Sequence, residues 1–252
     1  MLEAGDLSYR TEEGEGTPIV FVHGWLCTKD TWRKVEEELE LNNPLVFYDQ
    51  RCHGDSSCSE FDFGDLAEDL KNLVEKLGIE EPVLVGDSMG GMVSLKYAVE
   101  YDNFSGLFLT GTSASTPEPE NYSPRFFLEK FGSMDRRAWA LEIVENYAAD
   151  TELEDAKDAA RRTLIEAGDT EVIYSLGSMM SYDVRDQLKE LNVEAEVVAG
   201  TRDGAITMEK SRELADLLDC RLREIDATHL MLQEQPGEIA DLLEDFVSST
   251  TS

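Results

Sequence analysis

Gly86-Asp87-Ser88-Met89-Gly90-Gly91 decides how this chain is read. It follows Val83-Leu84-Val85, a short apolar run of the kind that forms a buried parallel strand. After it the pattern becomes helical through about Glu100. Strand, Gly-x-Ser-x-Gly, helix is the setting in which a serine sits on a sharp turn with its hydroxyl projecting above a sheet. An ordinary strand-to-helix turn with a capping serine would look similar, so the neighbouring segments must discriminate.

Upstream, Ile19–Val22 and Leu45–Tyr48 have the composition of buried strands. Asp30 to Leu41 reads as an amphipathic helix between them, with Trp32, Val35 and Leu39 on one face. Gly64 to Leu77 is a second helix, with Leu66, Leu70, Leu73 and Leu77 at helical spacing and Gly78 as its stop. Phe104 to Thr110 is a further strand. From Thr112 to Tyr182 no buried-strand run occurs. After Thr116-Pro117-Glu118-Pro119, helices are predicted at Pro124–Phe131, Arg137–Ala149, Leu153–Ala167 and Thr170–Met180. Strand and helix then alternate again: Glu196–Gly200, Met208–Leu218, Leu222–Ile225 and Pro236–Val247. The expectation is an α/β core, a mostly parallel sheet flanked by helices, formed by 1–111 and 183–252. Residues 112–182 are expected to be a helical cap, since they follow the carboxyl end of a strand, where open sheets bind ligands. Tyr122, Phe126, Phe127, Phe131, Trp139, Tyr147, Tyr174, Met179 and Met180 in this stretch either line a pocket or pack the cap.

A serine needs a base, and the chain has three histidines: His23, His53 and His229. His229 comes after the last strand and follows the other candidates in the chain, which makes it the expected base. Asp203, in Gly200-Thr201-Arg202-Asp203-Gly204 just beyond a strand, is the expected acid partner. Asp226 and Asp183 are rivals with poorer placement. The oxyanion hole is expected from the N–H groups of Trp25 and Met89. His23 and His53 are left with structural roles.

The order Ser88, Asp203, His229, with His23-Gly24-Trp25 and Arg51-Cys52-His53-Gly54-Asp55-Ser56, resembles the α/β-hydrolase superfamily over nearly the whole chain. Ser-Met-Gly-Gly-Met-Val is similar to the elbow of esterases, enol-lactonases, carbon–carbon bond hydrolases and cofactor-free haloperoxidases. The resemblance implies a serine hydrolase needing no cofactor or metal and acting on a small-molecule carboxylic ester of short or medium acyl length. Lactone opening, carbon–carbon cleavage and a binding or receptor protein with little turnover remain open. Serine at position 88 argues against epoxide hydrolases and haloalkane dehalogenases. Three departures stand out: Cys52 in place of a commoner glycine, Asp87 beside the nucleophile, and an N-terminus short enough to have lost the first of the usual eight strands. Asp87 either acts electrostatically on His229 or points into solvent or a polar surround.

The bulk composition bounds the setting. Fifty-four acidic and 22 basic residues give a net charge of −32, with 41% apolar residues, enough for a sizeable core. That field repels phosphate backbones and anionic membranes, so neither nucleic acid nor a membrane is an expected partner. The composition resembles that of salt-in halophiles. No signal peptide is recognisable, and the four cysteines, Cys27, Cys52, Cys58 and Cys220, are read as reduced thiols in a cytoplasm. A metal site at Cys52, His53 and Cys58 is disfavoured. A monomer or homodimer is expected.

Overall fold

The computed structural model describes residues 6–116, 123–148 and 150–250. Seven strands form one sheet: β1 (Tyr9–Glu12), β2 (Ile19–Val22), β3 (Leu45–Tyr48), β4 (Val83–Asp87), β5 (Gly106–Thr110), β6 (Glu194–Gly200) and β7 (Arg221–Ile225). Their order across the sheet is β1-β3-β2-β4-β5-β6-β7. Only β1 is antiparallel, pairing Tyr9 with Tyr48 and Glu12 with Leu45 on β3. The rest are parallel, and β2 to β5 are buried throughout, as suits parallel strands covered on both faces.

The two-residue period of β2 divides the core. Ile19 and Phe21 face one side, where Phe21 stacks on Phe47 at 4.4 Å and packs under Trp32 and Val35. Helices α1 (Arg33–Glu38) and α10 (Pro236–Thr250) cover that face, the latter through Ile239, Leu243 and Phe246. Val20 and Val22 face the other side, against α2 (Phe63–Lys76), α3 (Met89–Glu100) and α9 (Met208–Leu217). The leucine stripe of α2 is buried there, and its N-terminus carries a capping box between Asp62 and Asp65.

Between β5 and β6 lie α4 (Pro124–Phe131), α5 (Arg136–Tyr147), α6 (Glu154–Glu166), α7 (Asp169–Met179) and the short α8 (Arg185–Leu188). Helices α4 to α7 build a third apolar cluster from Phe127, Trp139, Ile143, Leu164 and Leu176, closed against Leu26, Ala205 and Ile206 of the core loops. The two ends of this stretch meet at an antiparallel bridge between Ser115 and Asp183. The predicted Thr116–Pro119 opening, from Pro117 on, and Tyr122 lie outside the described residues, as does the Ala149 end of the predicted fifth helix.

Three expectations are corrected. The segment from Asp30 to Leu41 is not one helix: a 3-10 turn (Lys29–Trp32) leads into the six-residue α1, and Leu39 is already extended. Strand β1 and helix α8 had no place in the sequence reading. Cys52 and Cys58 are not free thiols; they form a disulfide, with Cα atoms 4.0 Å apart. The loop doubles back, Cys52 N–H donating to Ser57 O and Ser56 N–H to His53 O, which sets the two cysteines side by side. Cys27 and Cys220 are free. With that bond, the cysteines no longer argue for a reducing compartment.

Candidate active site

Ser88 joins β4 to α3 with φ +53° and ψ −117°. A non-glycine residue holds such a backbone only where the surroundings impose it. Here the neighbours do so by closeness. A Cβ on Gly90 would lie 2.1 Å from Val22 O, and one on Gly86 2.6 Å from Gly91 Cα. Only glycines let the start of α3 press against β2 and β4. Ser88 N–H donates to Thr110 O at 2.9 Å, and Thr112 Oγ1–H donates to Ser88 O at 2.7 Å. The turn is thereby tied to β5 and the loop after it.

The three residues singled out from separate ends of the chain converge. Ser88 Oγ–H donates to His229 Nε2 at 2.9 Å. His229 Nδ1–H donates to Asp203 Oδ2 at 2.8 Å. The other carboxylate oxygen of Asp203 accepts from the N–H groups of Ala205 (2.7 Å) and Ile206 (2.9 Å), which fixes its orientation. Burial alone would lower the His229 pKa; the charge and hydrogen bond of Asp203, with a smaller push from Asp87, raise it above the ordinary value. Neither Asp226 nor Asp183 competes. Asp226 pairs with Arg202 at 2.8 Å, and Asp183 with Arg185.

The N–H groups of Trp25 and Met89 have no acceptor among the described residues. Met89 opens α3, where the helix dipole favours negative charge. Trp25 lies on the loop after β2, and that loop is held by buried histidine contacts. His23 Nδ1–H donates to Gly24 O at 2.8 Å, Gln50 N–H donates to His23 Nε2 at 3.0 Å, and Gln50 Nε2 donates to His23 O at 2.6 Å. His53 Nδ1–H donates to Arg51 O at 2.9 Å. Burial lowers His23 to about 4 and His53 to about 3, so both rings are neutral at pH 7 and serve as fixed struts. Arg51 is anchored in turn by a two-pronged contact with buried Asp69, both arms 2.6 Å.

Two cavities meet at Ser88 and His229. The larger, about 350 Å³, runs between Leu26, Tyr147, Leu164 of α6 and Leu230. The smaller, about 30 Å³, is apolar and bounded by Met92, Phe127, Leu176 and Met179. Asp87 reaches the larger cavity and is 8% exposed. Thr110 Oγ1–H donates to its Oδ1 at 2.8 Å. Burial raises its pKa to about 6, opposed by His229 and the Thr110 bond and reinforced by Asp203. It therefore does not point out to solvent.

Tyr147 had been only one of several aromatics in the helical stretch. Its carbonyl accepts from His229 N–H and Gly204 N–H, each at 3.4 Å, and its ring meets the His229 ring edge-on at 5.5 Å. It thus braces the loops carrying both Asp203 and His229. No local sequence signal marks such a role, because it depends on two loops that arrive more than fifty residues later. Among the described residues no group of three His, Cys, Asp or Glu side chains is placed to hold a metal ion. No helix among them is long and apolar enough to cross a membrane.

The chain belongs to the alpha/beta hydrolase fold family, whose pattern matches residues 17–236. It is 24% identical to the pimeloyl-[acyl-carrier protein] methyl ester esterase of Vibrio atlanticus, over 84% of this chain and 86% of that one. It is 25% identical to 3-oxoadipate enol-lactonase 1 of Acinetobacter baylyi, over 96% of this chain and 93% of the relative. Among solved structures, the enol-lactonase from Burkholderia xenovorans superposes with a TM-score of 0.88 at 23% identity, covering 96% of each chain, and carries the fold comparison.

Proposed function

We propose that this protein is a serine hydrolase that cleaves carboxylic esters of short or medium acyl length, with Ser88, His229 and Asp203 as its catalytic residues. The observation that carries the reading is the hydrogen-bonded relay from Ser88 Oγ through His229 to Asp203, opening onto a cavity of about 350 Å³. Ser88 Oγ attacks the ester carbon as its proton passes to His229 Nε2. The charge that develops on the carbonyl oxygen is held by the N–H groups of Trp25 and Met89. His229 then protonates the departing alkoxide, leaving an acyl group on Ser88. Water attacks that ester, giving a proton to His229, and the acid leaves as Ser88 recovers its proton. Every proton in the cycle is carried by these residues and water.

Helices α4 to α7 act as the cap in this reading, because Tyr147 and Leu164 wall the larger cavity and Phe127, Leu176 and Met179 the smaller. A second reading is lactone opening. It is favoured by the enol-lactonase relative, which matches 96% of this chain. The steps are the same, with the leaving oxygen tethered to the acyl group. The net charge of −32 supports a protein adapted to concentrated salt.

The test is fluorophosphonate labelling of Ser88 with p-nitrophenyl acetate and butyrate turnover, in low and high KCl. Labelling with turnover supports the esterase. Labelling with turnover of a lactone but of neither ester moves the assignment to the second reading. No labelling at any salt concentration overturns both.

A further inference from the structure

The wall of the larger cavity beside Ser88 contains one unexpected group. Trp25, Leu26, Tyr147 and Leu230 are apolar parts of its lining and Asp30, Arg33 and Lys34 charged ones, and the Asp87 carboxyl, next to Ser88 in the chain, also reaches it. Asp87 is the last residue of β4, in register with Thr110 of β5, so its backbone is fixed by the sheet. Thr110 occupies Oδ1. Oδ2 accepts no hydrogen bond among the described residues, and the charges that act most strongly on Asp87 are those of His229 and Asp203. A Cβ built on Gly24 would lie 3.1 Å from Asp87 Oδ2 and 3.3 Å from Ser88 Cβ. The unused oxygen and the side chain of Ser88 thus flank a single point on the cavity wall.

Because Asp87 reaches the cavity, a donor for Oδ2 can come from whatever fills that cavity. A ligand that displaces water from the wall without supplying a donor leaves the oxygen unsatisfied, and one that brings a donor restores the bond. Burial lifts this carboxyl only to about 6, so at neutral pH it is mainly the ionised, acceptor-only form. Near a forming oxyanion such a charge opposes catalysis, unless the substrate places a donor against it.

We propose that Asp87 Oδ2 is a specificity-determining acceptor, and that the preferred esters carry a hydroxyl or ammonium group one or two carbons from the scissile carbonyl. The inference rests on the ester-cleaving function proposed above. The short reach follows from the Gly24 geometry, which puts Oδ2 and Ser88 Cβ within 3.1 and 3.3 Å of one point beside Gly24. Discrimination follows from the unpaired acceptor: an analogue lacking the donor leaves it buried and unsatisfied, which sites of this kind punish by factors from about 10 to about 10⁴.

The experiment compares kcat/KM at pH 7.5 for ethyl 3-hydroxybutyrate against ethyl butyrate, and for β-alanine ethyl ester against ethyl propionate. The expected result is a preference of at least about tenfold for one donor-bearing ester over its partner. In Asp87→Leu the ratio should fall towards one, whatever the absolute rates. Should that variant fail to fold, Asp87→Asn keeps the size and should lower the preferred ratio at least about threefold. A preference only for the hydroxyl ester or only for the ammonium ester names the donor and supports the proposal. A wild-type ratio near one, or an unchanged ratio in the variants, overturns it. Fluorophosphonate labelling in parallel separates the two levels. Labelling and ethyl butyrate turnover without donor preference reject only the role of Asp87, whereas absence of both rejects the ester-cleaving function itself.

Discussion

His229 Nε2 stands 2.9 Å from Ser88 Oγ, although 141 residues separate them in the chain. A proton can pass between the two without any rearrangement, and Asp203 Oδ2 fixes which ring nitrogen is free to receive it. Ser88→Ala and His229→Ala should each reduce kcat by about 10⁶, and Asp203→Asn by about 10⁴. Since the residues act as a unit, the Ser88→Ala/His229→Ala double variant should be no slower than either single one. Steady-state ester hydrolysis measures this. Additive losses would mean that the relay is not the reacting unit.

In the proposed mechanism the same contact sets the acid limb of the pH profile. His229 must be neutral to accept the serine proton. Asp203 and, more weakly, Asp87 hold its pKa above 6.5. Activity should therefore fall with decreasing pH through a midpoint above the ordinary histidine value. Asp203→Asn should move that midpoint downward and Asp87→Asn should move it less. A midpoint that neither variant shifts would assign the limb to another group.

Much of this site is legible before any coordinates, and the reasons are physical. Four-residue apolar runs such as Ile19–Val22 are buried on both faces and so announce themselves. The glycines at 86 and 90 mark the close approach that a strained serine needs. Long-range partners are legible only through chain order, as with Asp203 and His229. What stays hidden depends on tertiary contact. Strand β1, Tyr-Arg-Thr-Glu, is a half-exposed edge with no apolar run. The 3-10 start of α1 is a local departure from a helical pattern that extends further on paper. The direction taken by Asp87 is set by Thr110 on the neighbouring strand.

Asp87 also has a consequence for stability. Its pKa is 3.8 in the unfolded chain and about 6 in the fold. Between those values the native state holds a proton that the unfolded chain has lost. Stability therefore falls as pH rises from about 4 to about 6, and the loss persists above that, on the order of 3 kcal/mol. Asparagine cannot ionise. Asp87→Asn should raise the melting temperature at pH 8 and leave it nearly unchanged at pH 4. Equal shifts at the two pH values would indicate altered packing instead of a removed charge.

The Cys52–Cys58 bond closes a short loop that carries His53, whose ring meets that of His23, on the segment after β2, at 5.1 Å. Loop-closure entropy for so small a ring gives about 2 kcal/mol. For a chain of this length that corresponds to roughly 4–8 °C in Tm. Cys52→Ser or incubation with a reductant should lower Tm by that amount and should slow ester turnover if the Trp25 amide shifts. A Tm that is insensitive to reductant would show the thiols unpaired in solution.

The charge of −32 sets the last expectation. In 0.1 M salt the screening length is about 10 Å, so surface carboxylates still repel one another; at 1 M it is about 3 Å. Salt also weakens attractive pairs such as Lys71–Glu75 and Arg33–Asp30, but exposed pairs of that kind contribute only about 0–1 kcal/mol each. With 54 acidic against 22 basic side chains, most carboxylates have no cation to lose. Relief of repulsion should therefore win. Melting temperature and ester turnover should both rise between 0.1 and 2 M KCl, with the steepest gain at the low end, where the screening length changes most. An equivalent osmolality of sucrose should not reproduce that steep initial gain, since it screens no charge. Highest stability and activity in dilute buffer would reject adaptation to salt and leave the acidic surface as a solubility device alone.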